Sequence, residues 1–158
     1  MVSAGVCFGG KGRLHMIANK TKVNAKLYVE SLLPELVQDC RSVLPSGFIF
    51  QQDGVPAHMA KLAHDWIATN CSEFIGKDEW PPNSLDLNPL DYQVWRAMLE
   101  RYKSFQLKLE NIDELKKIMQ LIWDQLPQDS INKAILSFPK RLRACVKACD
   151  GHFEHTLK

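Results

Sequence analysis

No run of apolar residues in this 158-residue chain reaches the roughly 18 that a membrane span requires, so no transmembrane helix is expected. A secretory signal is also missing: residues 2–8 form only a short apolar run, and Lys11 and Arg13 follow it instead of preceding it. Secretion is therefore not expected. Cysteine is scarce, with five residues scattered along the chain, an odd count that suits free thiols in a reducing compartment better than a disulfide framework. Charge of either sign is nearly balanced at +2, too little to imply a nucleic-acid partner from the total alone. Acid is absent from the first 29 residues, where Glu30 supplies the first carboxylate.

What is present suits one globular domain: 46% hydrophobic and 24% charged residues, in a length sufficient to bury a core. Residues 2–8 and 13–17 read as strands joined by a tight turn over Gly9, Gly10, Lys11 and Gly12. Asn24 is placed to cap a helix whose apolar spacing runs on through Leu33, Leu36, Val37, Cys40 and Leu44. Pro34 within it marks a kink or a boundary between two short helices. A third strand, residues 48–53, ends in Asp53. Pro56 then fits the first position of a helix with Met59, Leu62, Ala63, Trp66 and Ile67 on its inner face, and a fourth, short strand covers residues 73–75. Beyond Ser104 the pattern is helical. Asn111 and Glu114 form a capping box, Pro127 ends that helix, Asp129 or Ser130 caps the next, and Pro139 interrupts it.

Two carboxylates stand out. Asp53 closes a strand, and Asp91, with 37 residues between them, lies in the first turn of a helix opened by Asn88 and Pro89. Open α/β sheets gather their sites outside the carboxyl ends of strands, and acids meeting there call for a hard cation such as Mg²⁺ or Mn²⁺. Asp91 also has a purely structural reading as part of the helix cap, which local pattern alone favours. His58 either orients a water or contacts a phosphate, or is simply a half-exposed residue of a first helical turn. Asp86 reads as a turn residue. Lys11, Arg13, Lys20, Lys22 and Lys26 form one basic cluster and Lys140, Arg141, Arg143 and Lys147 another, each compatible with phosphate contacts or with plain solvated surface. Cys145, Cys149, His152 and His155 have zinc-ligand chemistry, but Cys145 and Cys149 lie at helical spacing without the finger loop, which favours packing over metal.

The strings QQDGVPAH, WPPNSLDLNPLDYQVW and AILSFPKRLRACVKACDGHFEH resemble the catalytic domain of mariner-type transposases of the DDE/D superfamily, over nearly the whole chain. The resemblance implies an α/β, RNase H-like mixed sheet flanked by helices. It implies that Asp53 and Asp91 match the second and third of three metal-holding carboxylates, with His58 as the supporting histidine, and it reverses the preference for a cap-only Asp91. The implied cofactor is Mg²⁺ or Mn²⁺, the implied partner is DNA, as a homodimer or paired with a full-length transposase, and the implied location is nuclear. Leu85 departs from the family pattern, where a proline precedes the DLNP block. The family's first carboxylate and its N-terminal DNA-recognition modules have no counterpart here. The expectation is accordingly a fragment lacking the first, central strand, with residues 1–104 as a partial core and 105–158 as a helical extension of the same domain. It should hold metal weakly, be inactive alone and be marginally stable. The alternative expectation is a non-catalytic nucleic-acid- or protein-binding module.

Overall fold

Gly9 takes a left-handed conformation (φ +84°) and reverses the chain. Strand β1 (Val2–Ser3) thereby pairs antiparallel with β4 (His15–Met16), and β2 (Val6–Cys7) with β3 (Gly10–Lys11). The computed structural model describes residues 1–17, 21–76, 78–80, 87–106 and 108–147. The turn is tighter than the run of glycines suggests, and Gly10 already belongs to the returning strand. Gly10 and Gly12 serve close approach instead. A Cβ at Gly10 would stand 2.0 Å from Val43 Cγ1, and one at Gly12 would stand 3.0 Å from Asp39.

Asn24 caps α1 (Ala25–Leu27), its Oδ1 accepting the Leu27 amide at 2.9 Å. A π-helical turn (Tyr28–Leu32) then leads into α2 (Leu33–Val43). Pro34 therefore falls in the first turn after the widened segment, where its missing N–H costs little, and the chain continues without a break. Strand β5 (Ile49–Phe50) pairs in parallel with β6 (Glu73–Phe74). Between them lie α3 (Pro56–Met59) and α4 (Lys61–Asn70), separated by Ala60 in extended conformation. The single helix expected from Pro56 is thus two, and Leu62 is 49% exposed, not on the inner face; Ala63 and Ile67 carry the burial.

A second π-helical turn (Leu90–Val94) opens α5 (Trp95–Ser104). Helix α6 (Ile112–Gln125) begins at a cap in which Asn111 Oδ1 accepts the Glu114 amide and Glu114 reaches back to the Glu110 amide, both at 2.9 Å. Helix α7 (Gln128–Lys147) starts before Asp129 and passes straight through Pro139. Expecting an interruption there was wrong. The lost backbone bond is offset by anchors on the same helix: Phe138 stacks on Trp80, and Tyr92 reaches the Ala134 carbonyl.

Two main cores result. One joins the Tyr28–Leu32 turn, α2, α4 and β5 through Tyr28, Leu33, Val37, Phe50 and Ile67. The other joins the hairpin to α5, α6 and α7 through Ala4, Leu14, Met98, Trp123 and Ile131, so the C-terminal helices share a core with the first strands. The expected sheet is present only in parts. Among the described residues the hairpin strands and the β5–β6 pair form separate two-stranded sheets, with a cavity of about 630 Å³ lined by both. No described helix is long and apolar enough to cross a membrane.

Candidate functional site

Asp53 and Asp91 line this same cavity, together with His58, Tyr28, Gln52 and Asn88. Asp53 follows β5, where the chain leaves the sheet. Its Oδ1 accepts the Val55 amide at 3.2 Å and His58 Nδ1 at 2.6 Å, a length suited to a charge-assisted bond. His58 is brought within reach by the short helix α3. Its ring packs on Tyr28 (centroids 4.2 Å apart). The Tyr28 hydroxyl donates to Gln52 Oε1 at 2.7 Å, and Gln52 Nε2 donates to the His58 carbonyl at 2.9 Å. That bond takes the carbonyl at the point where the helical ladder breaks before Ala60. Burial pushes the Asp53 carboxyl up, but the His58 hydrogen bond and charge and the Val55 amide outweigh it and hold Asp53 below the usual carboxylate range. Among the described residues none donates to its Oδ2.

Asp91 presents the opposite case. The cap of its helix is made by Asn88, whose Oδ1 accepts the Leu90 amide at 3.1 Å and whose carbonyl accepts the Asp91 amide at 2.9 Å. The Asp91 side chain is therefore not used by the cap, and its Oδ2 is buried without a hydrogen-bond partner among the described residues. Burial first, and the charge of Asp53 second, push its carboxyl above the ordinary value. The turn that carries Asp91 is fastened to α7: Tyr92 donates to the Ala134 carbonyl, Ser137 Oγ donates to the Tyr92 hydroxyl at 3.2 Å, and Arg141 lies 3.7 Å over the Tyr92 ring.

The donor set is oxygen-only and hard: one free carboxylate oxygen on Asp53 and one orphaned, buried oxygen on Asp91. That chemistry fits a divalent cation of the Mg²⁺ or Mn²⁺ kind, whose remaining shell is commonly water. It is a sparse set. Among the described residues no group of three or more His, Cys, Asp or Glu side chains is arranged to hold a metal.

Other sequence expectations fare differently. Lys11 is engaged within the fold: its ammonium caps the C-terminal end of α6 through the carbonyls of Trp123, Asp124 and Leu126. Arg13 is bound to Asp39 at 2.7 Å. Cys145 is buried beside Trp80 and Leu87, while Cys149, His152 and His155 lie outside the described residues, as do Leu85, Asp86 and Lys20. Cys7, Cys40 and Cys71 are free thiols. Tyr28 and Gln52, which orient His58, escaped the sequence reading. The doublet Gln51–Gln52 before Asp53 is a local signal, whereas nothing near Tyr28 announces a partner 24 residues away.

No family model matches the chain. It is 29% identical to the Tc1 transposable-element transposase of Caenorhabditis elegans over 102 residues, 65% of this chain and 35% of that protein. It is 23% identical to the Tcb2 transposase of Caenorhabditis briggsae over 143 residues, 90% of this chain and 50% of that protein. The chain thus spans half or less of the length of these relatives. Among solved structures it superposes on the catalytic domain of Mos1 transposase, crystallised with Mn, at a TM-score of 0.80 and 21% identity, covering 97% of this chain and 76% of that one. On the Mos1 paired-end complex with the left transposon end, the TM-score is 0.76 at 22% identity, with 92% and 42% covered.

Proposed function

We propose that this homologue of the Tc1 and Tcb2 transposases, folded like the Mos1 catalytic domain, is part of a DNA-transposition catalytic core that is inactive by itself. The observation that supports the reading is that Asp53 and Asp91 both line one cavity, with the Asp91 Oδ2 buried and without a hydrogen-bond partner among the described residues. In this reading Asp53 and Asp91 hold a single Mg²⁺ or Mn²⁺, and the partner is nuclear DNA. A divalent ion bound there supplies Lewis-acid charge to a phosphodiester. His58 fixes the rotamer of Asp53 by occupying Oδ1, so that Oδ2 turns to the cavity. Tyr28 and Gln52 hold His58. The Tyr92–Ser137–Ala134 contacts keep the Asp91 turn against α7.

Among the described residues no group of three or more His, Cys, Asp or Glu side chains gathers to hold a metal, and the site offers the two carboxylates alone. With two carboxylates the site binds metal weakly and does not assemble a two-metal clamp. The sparse donor set also favours a second reading, a binding module retained without catalysis. Differential scanning fluorimetry with Mn²⁺, beside a supercoiled-plasmid nicking assay, tests both parts. Mn²⁺ should raise the melting temperature of the wild type but not of Asp53→Asn or Asp91→Asn, and no nicking should occur. Absence of any Mn²⁺ effect would sink the metal site. Robust nicking that disappears in Asp53→Asn would sink the claim of inactivity.

A further inference from the structure

We propose that Gln52, set in place by Tyr28, is a positioning residue of the candidate site: its carboxamide holds His58 so that Asp53 keeps one rotamer and turns Oδ2 to the cavity. Helix α3, which carries His58, is a single turn, too short to persist by its own backbone bonds. It must be held from outside. Ala60 is extended, so the helical ladder stops there, and Gln52 Nε2 donates to the His58 carbonyl at 2.9 Å. The other end of the same carboxamide, Oε1, accepts the Tyr28 hydroxyl at 2.7 Å. A carbonyl can only accept, so the NH₂ faces His58 and the oxygen faces Tyr28; the two bonds together demand an amide. The His58 ring lies against Tyr28, with centroids 4.2 Å apart, and its Nδ1 meets Asp53 Oδ1 at 2.6 Å. Gln52 and Asp53 are neighbours in the chain, so the loop closes on itself. The residue beside the carboxylate fixes the backbone of the histidine that grips the carboxylate.

Tyr28 reaches this spot through a register shift in its own helix. The Leu33 amide bonds the Tyr28 carbonyl, five residues back, which takes up one residue more than an α-turn. Counting back from Leu36 at about 100° per residue, an unbroken α-helix would place Tyr28 about 80° aside from Leu36 and nearly opposite Val37. The widened turn brings it to within about 20° of Leu36, on the buried face, where it is 1% exposed. Both ends of the Gln52 carboxamide are engaged, so Gln52 acts on a cation only through His58 and Asp53. Partners of this kind, one step behind a metal ligand, typically change metal affinity by about 10- to 100-fold when removed. The role rests on the reading of Asp53 as a metal ligand, but the rotamer it enforces is present without metal.

Three-bond NMR couplings about the Asp53 Cα–Cβ bond, recorded on the metal-free full chain, read the rotamer directly. Wild type should show one rotamer. Gln52→Glu keeps an acceptor for Tyr28 but sets a carboxylate oxygen against the His58 carbonyl, and Gln52→Met keeps the length without either bond. Both should give couplings averaged over rotamers. In both, Mn²⁺ affinity, followed by paramagnetic broadening of the resonances around the cavity, should fall at least about tenfold. A part played only in stability would lower the melting temperature and leave the Asp53 couplings of the folded variants as in wild type, which overturns the proposal. Should the Gln52 variants fail to fold, Tyr28→Phe decides, because it keeps the ring on His58 and removes only the hydroxyl: averaged Asp53 couplings support the role, and wild-type couplings sink it. A wild type that binds no Mn²⁺ while Asp53 responds to Gln52 removes the metal site and leaves the positioning intact. Couplings already averaged in the wild type remove the positioning, whatever Mn²⁺ does.

Discussion

A carboxylate held against its preference is the clearest mark of the site at the scale of single residues. Asp53 and Asp91 share a cavity but sit in opposite electrostatic states, one favoured as an anion by His58 and the Val55 amide, the other disfavoured by burial and by its neighbour. Because the folded-state pKa of Asp91 is raised, its ionisation opposes folding. That penalty is present above the raised value and vanishes once the pH falls below the ordinary carboxylate value of about 3.9. Asp91→Asn should therefore stabilise the protein at pH 7 by about 1 kcal/mol, roughly 3 °C in Tm. The gain should shrink to nothing below about pH 4. Melting curves across that range check it, and a variant that is less stable than wild type at pH 7 counts against an uncompensated charge. In Asp53→Asn the charge pressing on Asp91 is gone while the His58 contact keeps its acceptor. The Asp91 carboxyl should then titrate at lower pH, as side-chain carbon NMR would record. An unchanged titration would mean that the two groups do not sense each other.

Elements are held together here by contacts that span long stretches of chain, and this governs what could be read from the sequence. Caps were legible, because Asn24, Asn88 and Asn111 act on amides two or three residues away. The path of α7 through Pro139 was not, since its compensation comes from Trp80 and Tyr92. Nor was the use of Gly10 and Gly12, which a local reading assigns to the turn but which make room for α2. The same helix provides the hairpin's strongest tie. Asp39, 7% exposed, accepts the Arg13 amide at 2.9 Å, Arg13 Nε at 2.7 Å and His15 Nε2 at 2.8 Å. His15 Nδ1 stands 3.0 Å from Glu35. Burial opposes the Asp39 charge, but its His15 and Arg13 partners overcome that and lower its pKa. A depressed carboxyl stabilises the fold above the ordinary carboxylate pKa, and the contribution is lost as pH falls through the folded-state value. Asp39→Ala should cost about 2 kcal/mol at pH 7, a figure set below that of a fully buried pair because Arg13 is largely exposed and screened. The difference from wild type should narrow in acid. Gly10→Ala should also undock the hairpin from α2, through the clash with Val43, and raise amide exchange over residues 2–16 more than over α4. Equal exchange in the two regions would rule out the hairpin as a separately opening unit.

Among the described residues the two larger buried clusters both border the cleft, and the stability of the whole molecule should reflect that division. One core is built on the Tyr28–Leu32 turn, α2, α4 and β5, the other on the hairpin and α5 to α7. The candidate carboxylates stand one on each side: Asp53 follows β5 of the first, and Asp91 precedes Val94 and Met98 of the second. Cooperative unfolding needs the cores to lose their packing together, which the cleft and its unpaired edges weaken. Unpaired edges beside exposed apolar side chains are also a template for aggregation. The chain alone should consequently melt over a broad range below about 60 °C and scatter light as it does so. Ile49 is 60% exposed in β5 and its side chain contributes little to either core. Ile49→Lys should suppress the scattering while changing the stability by no more than about 0.5 kcal/mol, as for a surface substitution. Static light scattering recorded during the melt reads both effects. A sharp single transition well above that temperature would show the two halves already act as one cooperative unit. Undiminished aggregation of the lysine variant would move its cause away from the β5 edge.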